Sequence, residues 1–339
     1  MVKHLKYPCT FDDYIIKAKI DSNIINNIIK MSIHCNTSYV KIYKNNKIIL
    51  DLVNKNDKKL IETYSLTKSF LSFAIMFLIQ DKKIKSVNDK ISKYIKSWEY
   101  GKKKNITIKE ILTHTSGLDS YWNFDEFMYP HGKYKLLNKK NYKTPNVYNI
   151  SLTIDKTDCA YWKYNDTASQ IIPTLVKIIT GLQIDKYLNN KLFKKLNIKY
   201  KWNKDSYGNP YGPSGLLISA DDLCKIGFLI LNNGFYEKQK IINNNLLNEM
   251  LKIRIKNKDM KYDKISYKQK KDYGYFWWIH NNLNIASGYI GQYLIIDKKR
   301  KIVAVRLIQE KFDNKKFEKD CCNSCQIHFN CFPNLIEKI

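Results

Sequence analysis

Ser65 and Lys68 are the pair of residues best suited to chemistry, and they stand three positions apart in the run Ser65-Leu66-Thr67-Lys68. On a helix, residues i and i+3 share a face, so the Lys68 amine can reach the Ser65 hydroxyl. A lysine partly removed from water has a lowered pKa and can accept the serine proton, and a helix N-terminus offers N–H groups to a developing oxyanion. Taken alone, such a tetrad is more often a capping serine followed by an exposed lysine.

Five further motifs follow this tetrad along the chain and change its interpretation. They read ILTHTSGL at 111–118, YWKYND at 161–166, GPSGLLISADDL at 212–223, YGYFWW at 273–278 and ASGYIGQ at 286–292. In this order and spacing the set resembles the serine β-lactamase and penicillin-binding-protein superfamily. It is most similar to the class C-like branch of esterases, D-amino-acid peptidases and aminohexanoate-dimer hydrolases. The resemblance covers residues 35 to 310.

The resemblance implies a role for each residue that matches a family motif. Ser65 would be the acylated nucleophile and Lys68 its proton acceptor. Tyr164 matches the tyrosine of the second motif, which shuttles a proton to the leaving group; a phenol beside a cationic lysine has its ionised form stabilised, which suits acid–base transfer. The backbone N–H groups of Ser65 and Tyr289 would form the oxyanion hole.

Two departures from the family motifs concern the substrate. Asp166 stands where class C enzymes have an amide that helps to hold substrate, and Ala286-Ser287-Gly288 stands where the family has Lys-Thr-Gly or His-x-Gly. The base that pairs with a substrate carboxylate is absent there, and losing a charge-assisted bond commonly costs about 1.5–3 kcal/mol. We expect Asp166, Ser287, Gly288 and Trp122 to contact substrate. Ester or amide hydrolysis is favoured over efficient penicillin hydrolysis.

Two other functions stay open on the sequence alone. The first is true β-lactamase or D-peptidase activity through the same Ser65 acyl-enzyme. The second is a catalytically weak relative that binds polyanions such as RNA through its lysine-rich surface. For the leading interpretation the expected partner is a small ester or amide substrate, with weak non-specific nucleic-acid binding besides. No metal or organic cofactor is expected.

The remaining reactive or aromatic side chains have mainly structural interpretations. His114 lies in a segment that is a structural turn in the family. Trp277 and Trp278 are expected to pack between sheet and helices rather than to line a pocket. Three aromatic residues, Trp122, Phe124 and Tyr129, lie in the loop that follows the His114 turn, and for them pocket lining and packing are equally favoured.

The cysteines divide into isolated residues and a tail cluster. In the tail, three thiols and an imidazole recur every three residues and could suit tetrahedral zinc, but zinc sites normally separate two ligand pairs by a dozen or more residues. We therefore favour unligated thiols or redox-variable bridges over a zinc-bound or disulfide-stapled knuckle. The weak metal candidates are Cys322, Cys325, His328 and Cys331, and the expected buried thiols are Cys9, Cys35, Cys159 and Cys224.

The patterns around the motifs predict the elements that position them. Residues 38–43 and 47–52 read as two strands joined through Asn45-Asn46, a hairpin signal. The apolar stretch 66–80 predicts a buried helix that begins at the tetrad. Further helices are predicted at 171–181, 221–232 and 332–339, and further strands at 273–279, 293–296 and 302–307.

This order of elements predicts an α/β fold, in the sense of an α+β sandwich. The resemblance makes it a β-lactamase/transpeptidase-like fold, in which helices flank an antiparallel sheet and a mostly helical region is inserted. We expect the sheet region at 30–75 and 215–339, the helical region at 76–214, a helical or extended segment at 1–29, and a Cys-rich tail segment at 320–331. Ser65 would lie at the junction of the first two.

The composition limits the function classes. The chain has 339 residues, with 59 Lys+Arg against 31 Asp+Glu and a net charge of +28. Base-edge and bidentate phosphate recognition favour arginine, whereas here only Arg254, Arg300 and Arg306 are arginines and the lysines are scattered. No apolar run approaches the roughly 20 residues of a membrane helix, and Met1 to Cys9 lack the pattern of a signal peptide. We therefore expect a cytoplasmic protein without membrane association.

Overall fold

The computed structural model describes residues 11–20, 22–120, 146–157, 161–260, 271–309 and 332–339. The described strands are β1 Tyr14–Ala18, β2 Tyr39–Lys44, β3 Lys47–Asn54, β4 Ile61–Glu62, β5 Tyr200–Trp202, β6 Leu216–Ile218, β7 Phe235–Tyr236, β8 Gln239–Lys240, β9 Asp272–Tyr273, β10 Trp278–His280, β11 Leu283–Gly288, β12 Gln292–Asp297 and β13 Ile302–Leu307. The described helices are α1 Asn23–His34, α2 Thr67–Gln80, α3 Ile108–Leu112, α4 Val147–Thr153, α5 Asp166–Ser169, α6 Ile171–Thr180, α7 Ile184–Leu188, α8 Ala220–Leu231, α9 Asn244–Leu251 and α10 at residues 332–337.

An antiparallel sheet of eight strands forms the centre of the molecule, in the order β1-β3-β2-β13-β12-β11-β10-β9. The N-terminal hairpin β2–β3 turns at Asn45 and Asn46, whose φ angles of 51° and 60° are those of a tight hairpin turn. Because β13 pairs with β2, the two ends of the chain meet in the middle of one sheet. The predicted hairpin and the predicted strands at 293–296 and 302–307 are confirmed.

The predicted single strand at 273–279 is wrong. The chain forms β9 and β10 as separate short strands that pair with each other, because the intervening residues make a turn in which the Gly274 N–H donates to the Trp277 carbonyl at 2.8 Å. Phe276, inside this turn, has a φ of 60°. Sequence reasoning also missed β1, which lies within the segment predicted at 1–29 and pairs with β3.

Helices cover both faces of the sheet. On one face α8 packs closely, since a Cβ on Gly227 would lie only 2.4 Å from the Val303 side chain. On the other face Phe332 of α10 stacks on Tyr293 with ring centroids 5.9 Å apart. Neighbouring residues of a strand point to opposite faces of a sheet. Leu294 lies on the α8 face with Val303, and its neighbour Tyr293 contacts α10, so the two helices lie on opposite sides of the sheet. The sandwich of helices and antiparallel sheet confirms the predicted fold class.

Helix α2 is the buried axis of the molecule. Its residues from Thr67 to Leu78 are all buried, as expected for a helix that is apolar on every side. The predicted helices at 171–181 and 221–232 are also confirmed as α6 and α8. Gly181, the residue after the end of α6, caps this helix in a left-handed conformation with φ 73°. Within the described residues, no helix is long and apolar enough to cross a membrane.

Candidate active site

Ser65 lies in a short 3-10 turn, Tyr64–Leu66, immediately before α2. A pair of threonines fixes this turn to strand β6: the Thr63 N–H and hydroxyl donate to the Leu216 carbonyl at 2.8 and 2.9 Å, and the Leu216 N–H donates to the Thr67 hydroxyl at 3.3 Å. Tyr64 has a φ of 49°, which is uncommon for a residue with a side chain and is maintained by the surrounding bonds. The turn leaves Ser65 half-buried at the start of the helix.

Lys68 reaches back to Ser65, as the spacing of three predicts. Its Nζ lies 3.0 Å from the Ser65 Oγ, 2.9 Å from the Pro213 carbonyl oxygen and 2.5 Å from the Asp166 Oδ1. The lysine side chain is only 2% exposed. Two of these contacts are hydrogen bonds that Nζ donates, to Ser65 and Pro213, and the third is an ion pair, so the buried charge of Lys68 is neutralised by Asp166.

Tyr164 lies next to this lysine inside a group of aromatic rings. The Lys68 Nζ is 4.9 Å from the centroid of the Tyr164 ring. The ring stacks with Trp278 at 6.4 Å and an interplanar angle of 9°, and lies 4.5 Å from the ring of His114. These ring contacts hold the Tyr164 side chain beside Lys68.

His114 is completely buried behind Tyr164. Burial lowers the pKa of His114 well below its usual value, and the positive charge of Lys68 lowers this pKa further. The Asn165 N–H donates to its Nδ1 at 3.2 Å, so the neutral ring carries its proton on Nε2. His114 is therefore a neutral support for the Tyr164-Asn165-Asp166 segment, in keeping with its predicted structural role.

Asn165 and Asp166 have different tasks, although they are neighbours. Asn165 is buried: its side-chain amide donates to the Leu118 carbonyl at 2.7 Å, and its Oδ1 accepts the Ala168 N–H at 2.8 Å, which caps α5. This cap fixes Asp166 at the first position of the helix. The Asp166 carboxylate, 23% exposed, pairs with Lys68. The structure therefore brings the second motif directly against the first.

The third motif reaches the nucleophile through Gly288 at the end of β11. A Cβ at this position would lie 2.1 Å from the Thr63 carbonyl oxygen and 3.2 Å from the Leu66 nitrogen, so only glycine permits the strand to approach the turn. The next residue is Tyr289, whose ring packs edge-on against Tyr64 at 5.7 Å. The backbone of Tyr289 thus follows directly after the closest approach of β11 to the Ser65 turn.

The family model described as Beta-lactamase matches residues 26–320. The chain belongs to the Beta-lactamase family. Among curated proteins, a provisionally named penicillin-binding protein of Bacillus subtilis (strain 168), PbpX, is 25% identical over 200 residues, which cover 52% of this chain. The match spans about half the length of that relative, 47%. Membership of the Beta-lactamase family confirms the resemblance seen in the motifs of the chain.

Solved structures show the same fold at low sequence identity. A protein from Bacillus anthracis, provisionally named a 6-aminohexanoate-dimer hydrolase, superposes with a TM-score of 0.70 at 17% identity, covering 92% of this chain and 82% of its own. A family VIII carboxylesterase superposes with a TM-score of 0.63 at 12% identity, covering 87% of this chain and 94% of its own. These likenesses extend the shared fold over nearly the whole chain.

Ala286, the first residue of the stretch compared above with the third family motif, is 1% exposed in the sheet, and the next residue, Ser287, is partly exposed. Trp277 is fully buried and its indole N–H donates to the Ser72 hydroxyl at 3.3 Å, so it packs between sheet and α2 as predicted. Trp278 instead stacks on Tyr164.

Several residues of the site escaped sequence reasoning. The Pro213 carbonyl and the threonine pair around the Ser65 turn carry no side-chain signature of catalysis, and the contact of Trp278 with Tyr164 depends on the fold. A small cavity of about 80 Å³ beside His114 is lined by Gly117, Leu118, Asp119, Thr157, Tyr161, Lys163 and Asn165. The following predicted residues lie outside the described part of the chain: Trp122, Phe124, Tyr129, Cys9, Cys159, Cys322, Cys325, His328 and Cys331. Cys35 and Cys224 are buried, as predicted.

Proposed function

We propose that the protein is a serine hydrolase that cleaves an ester or amide bond through an acyl-enzyme on Ser65. The observation that carries this proposal is the 3.0 Å contact between the Ser65 Oγ and the buried Lys68 Nζ. A lysine with a purely structural role has no need to approach a half-exposed serine from inside the protein. Membership of a hydrolase family supports the same conclusion.

The contacts of Lys68 fit both protonation states that acylation requires. As an ammonium, Nζ donates to Ser65 and Pro213 and forms an ion pair with Asp166. As a neutral amine it can still donate to Pro213, and its lone pair can then accept the Ser65 hydroxyl proton. Lys68 can therefore receive the serine proton without any side chain moving.

The reaction then proceeds in two balanced steps. Ser65 Oγ bonds to the substrate carbonyl carbon as its proton passes to Lys68, and Tyr164 gives a proton to the leaving group as the ester or amide bond breaks. Water then attacks the acyl-enzyme while the Tyr164 phenolate takes a proton from that water. The ester bond to Ser65 breaks as Lys68 returns its proton to the departing Ser65 Oγ, which restores all three side chains. The N–H groups of Ser65 and Tyr289 would stabilise the oxyanion in both steps.

Two features disfavour the rival β-lactamase or D-peptidase activity. Ala286 gives no cation at the third motif, and Asp166 adds an anion where the family has an amide. A β-lactam or stem-peptide carboxylate would lose an ionic contact worth about 1.5–3 kcal/mol. The polyanion-binding alternative rests only on the net charge of +28, since such binding places no demand on the geometry of Ser65 and Lys68.

Parallel assays with p-nitrophenyl butyrate and nitrocefin test the proposal. We expect turnover of the ester, little turnover of nitrocefin, and loss of both in Ser65→Ala. Ser92→Ala is the matched control, because this serine is partly exposed like Ser65 and its hydroxyl donates to the Lys104 carbonyl at 2.8 Å. Strong nitrocefin turnover would contradict the ranking of substrates, and full ester turnover by Ser65→Ala would contradict the nucleophile.

A further inference from the structure

We propose that Asp166 selects the charge of the substrate, so that the enzyme rejects acyl groups with a carboxylate near the scissile bond and prefers neutral or cationic ones. This inference rests on the proposed hydrolase function of Ser65. It assigns to Asp166 a specificity role that differs from the substrate-holding role of an amide at this position.

The two charges of the Lys68–Asp166 pair are unequally accessible. The Lys68 side chain is 2% exposed and its Nζ is shared among Ser65, Pro213 and Asp166. The Asp166 side chain is 23% exposed. An incoming substrate therefore meets the carboxylate end of the pair, while the ammonium is buried and already occupied by its acceptors.

The facing third motif does not restore a positive charge. Ala286 is buried in the sheet, and Ser287 and Gly288 carry no charge. Asn165 and Thr167, on either side of Asp166, are uncharged as well, and Lys163 before them is exposed. With an amide at position 166 the buried lysine would leave the site with a net positive charge; with Asp166 the pair is neutral and its outer end is negative. Repulsion between Asp166 and a substrate carboxylate weakens the binding of anionic substrates without strengthening the binding of neutral ones.

Three p-nitrophenyl esters of equal acyl-chain length test the proposal, with the far end of the chain a methyl, a carboxylate or a trimethylammonium group. The leaving group is the same in all three, so ratios of kcat/KM report the acyl-chain charge alone. We expect the wild-type protein to prefer the cationic ester over the anionic one by about tenfold or more at low salt, because unit charges a few ångströms apart interact strongly near a protein surface. The ratio should fall as salt rises.

Asp166→Asn should reduce the cation-to-anion ratio about tenfold or reverse it, and Asp166→Glu should preserve the preference. The matched control is Asp81→Asn, which removes a carboxylate from another lysine pair, with Lys191 at 2.7 Å. Asp81 lies thirteen residues beyond Lys68 along the α2 direction, roughly 20 Å away, and its substitution should leave the ratio unchanged.

The outcomes separate this proposal from the proposed function. Hydrolysis of none of the three esters by the wild-type protein would refute the hydrolase itself. Hydrolysis of all three with equal efficiency, at any salt concentration, would refute charge selection by Asp166 and leave the hydrolase standing. The salt series uses the unmodified protein, so the proposal stays testable even if Asp166→Asn does not fold.

Discussion

At the residue scale, the site depends on one buried lysine, Lys68, which has one partner in its own turn of the chain and two partners far away in sequence. Ser65, Asp166 and the Pro213 carbonyl all lie within 3.0 Å of its Nζ. The first contact could be predicted from helical spacing, and the motif resemblance named Tyr164 and Asp166. The ion pair could not be predicted, because the sequence gives no distance between a helix and a loop about 100 residues away.

Tyr164→Phe distinguishes the proton that Tyr164 gives to the leaving group from the proton that Lys68 takes from Ser65. The ring keeps its stacking with Trp278 and His114, so the fold should be retained, and only the hydroxyl is lost. A p-nitrophenolate leaving group needs no proton, whereas an anilide does. We therefore expect the single-turnover rate of acylation by a p-nitroanilide to fall about 10²–10⁴-fold and that by the p-nitrophenyl ester of the same acid to fall much less, whereas hydrolysis of their common acyl-enzyme should slow equally. Equal losses in the acylation rate on both substrates would exclude Tyr164 as the acid for the leaving group.

At the element scale, the site forms where a helix start, a strand end and a loop converge. Gly288 permits this convergence, because any side chain at this position would prevent β11 from approaching the Thr63 carbonyl. The motif resemblance indicated this glycine, but its reason is visible only in the fold. The prediction of one strand at 273–279 was wrong for a related reason. A continuous aromatic run favours a strand, and no local sequence signal reveals the turn in which Phe276 has a positive φ.

Gly288→Ala tests this convergence. The added methyl group would clash with the Thr63 carbonyl, so we expect displacement of the Ser65 turn, a loss of about 1–3 kcal/mol in the free energy of unfolding, and at least about a tenfold slower reaction of Ser65 with a fluorophosphonate. Gly181→Ala is the control: its φ of 73° is strained for alanine, but the space around it is open. It should cost about 1 kcal/mol and leave the reaction rate unchanged. Equal labelling rates in both variants would contradict the role of Gly288.

At the scale of the whole molecule, the net charge of +28 says little about the site, since the lysine there, Lys68, is buried and paired with Asp166. The fold class, the central helix and most long elements could be predicted, because hydrophobic period and motif order are properties of the sequence. An antiparallel sheet was predicted, but the order of its strands required the structure, since β13 pairs with β2 across almost the entire chain. One buried residue beside the site, His114, also makes the free energy of unfolding depend on pH.

The pH dependence of unfolding follows from His114. Burial and the charge of Lys68 lower its folded-state pKa below 6.5, so the unfolded chain binds a proton at a pH where the folded protein does not. Its contribution to stability is complete above pH 6.5 and is lost as the pH falls below that value. We expect a loss of about 1 kcal/mol between pH 6.5 and 5.5 by denaturant titration. His114→Asn should lack this loss, and His280→Asn should retain it; the same loss in both variants would rule out His114 as its source.

The most direct test of the central claim is intact-mass spectrometry of the folded protein after exposure to a fluorophosphonate, followed by mapping of the adduct. We predict a single adduct on Ser65 in the wild-type protein and none in Ser65→Ala, with Ser92→Ala labelled like the wild type. Absence of an adduct from the folded wild-type protein, or an equal adduct on Ser65→Ala, would contradict the assignment of Ser65 as the nucleophile.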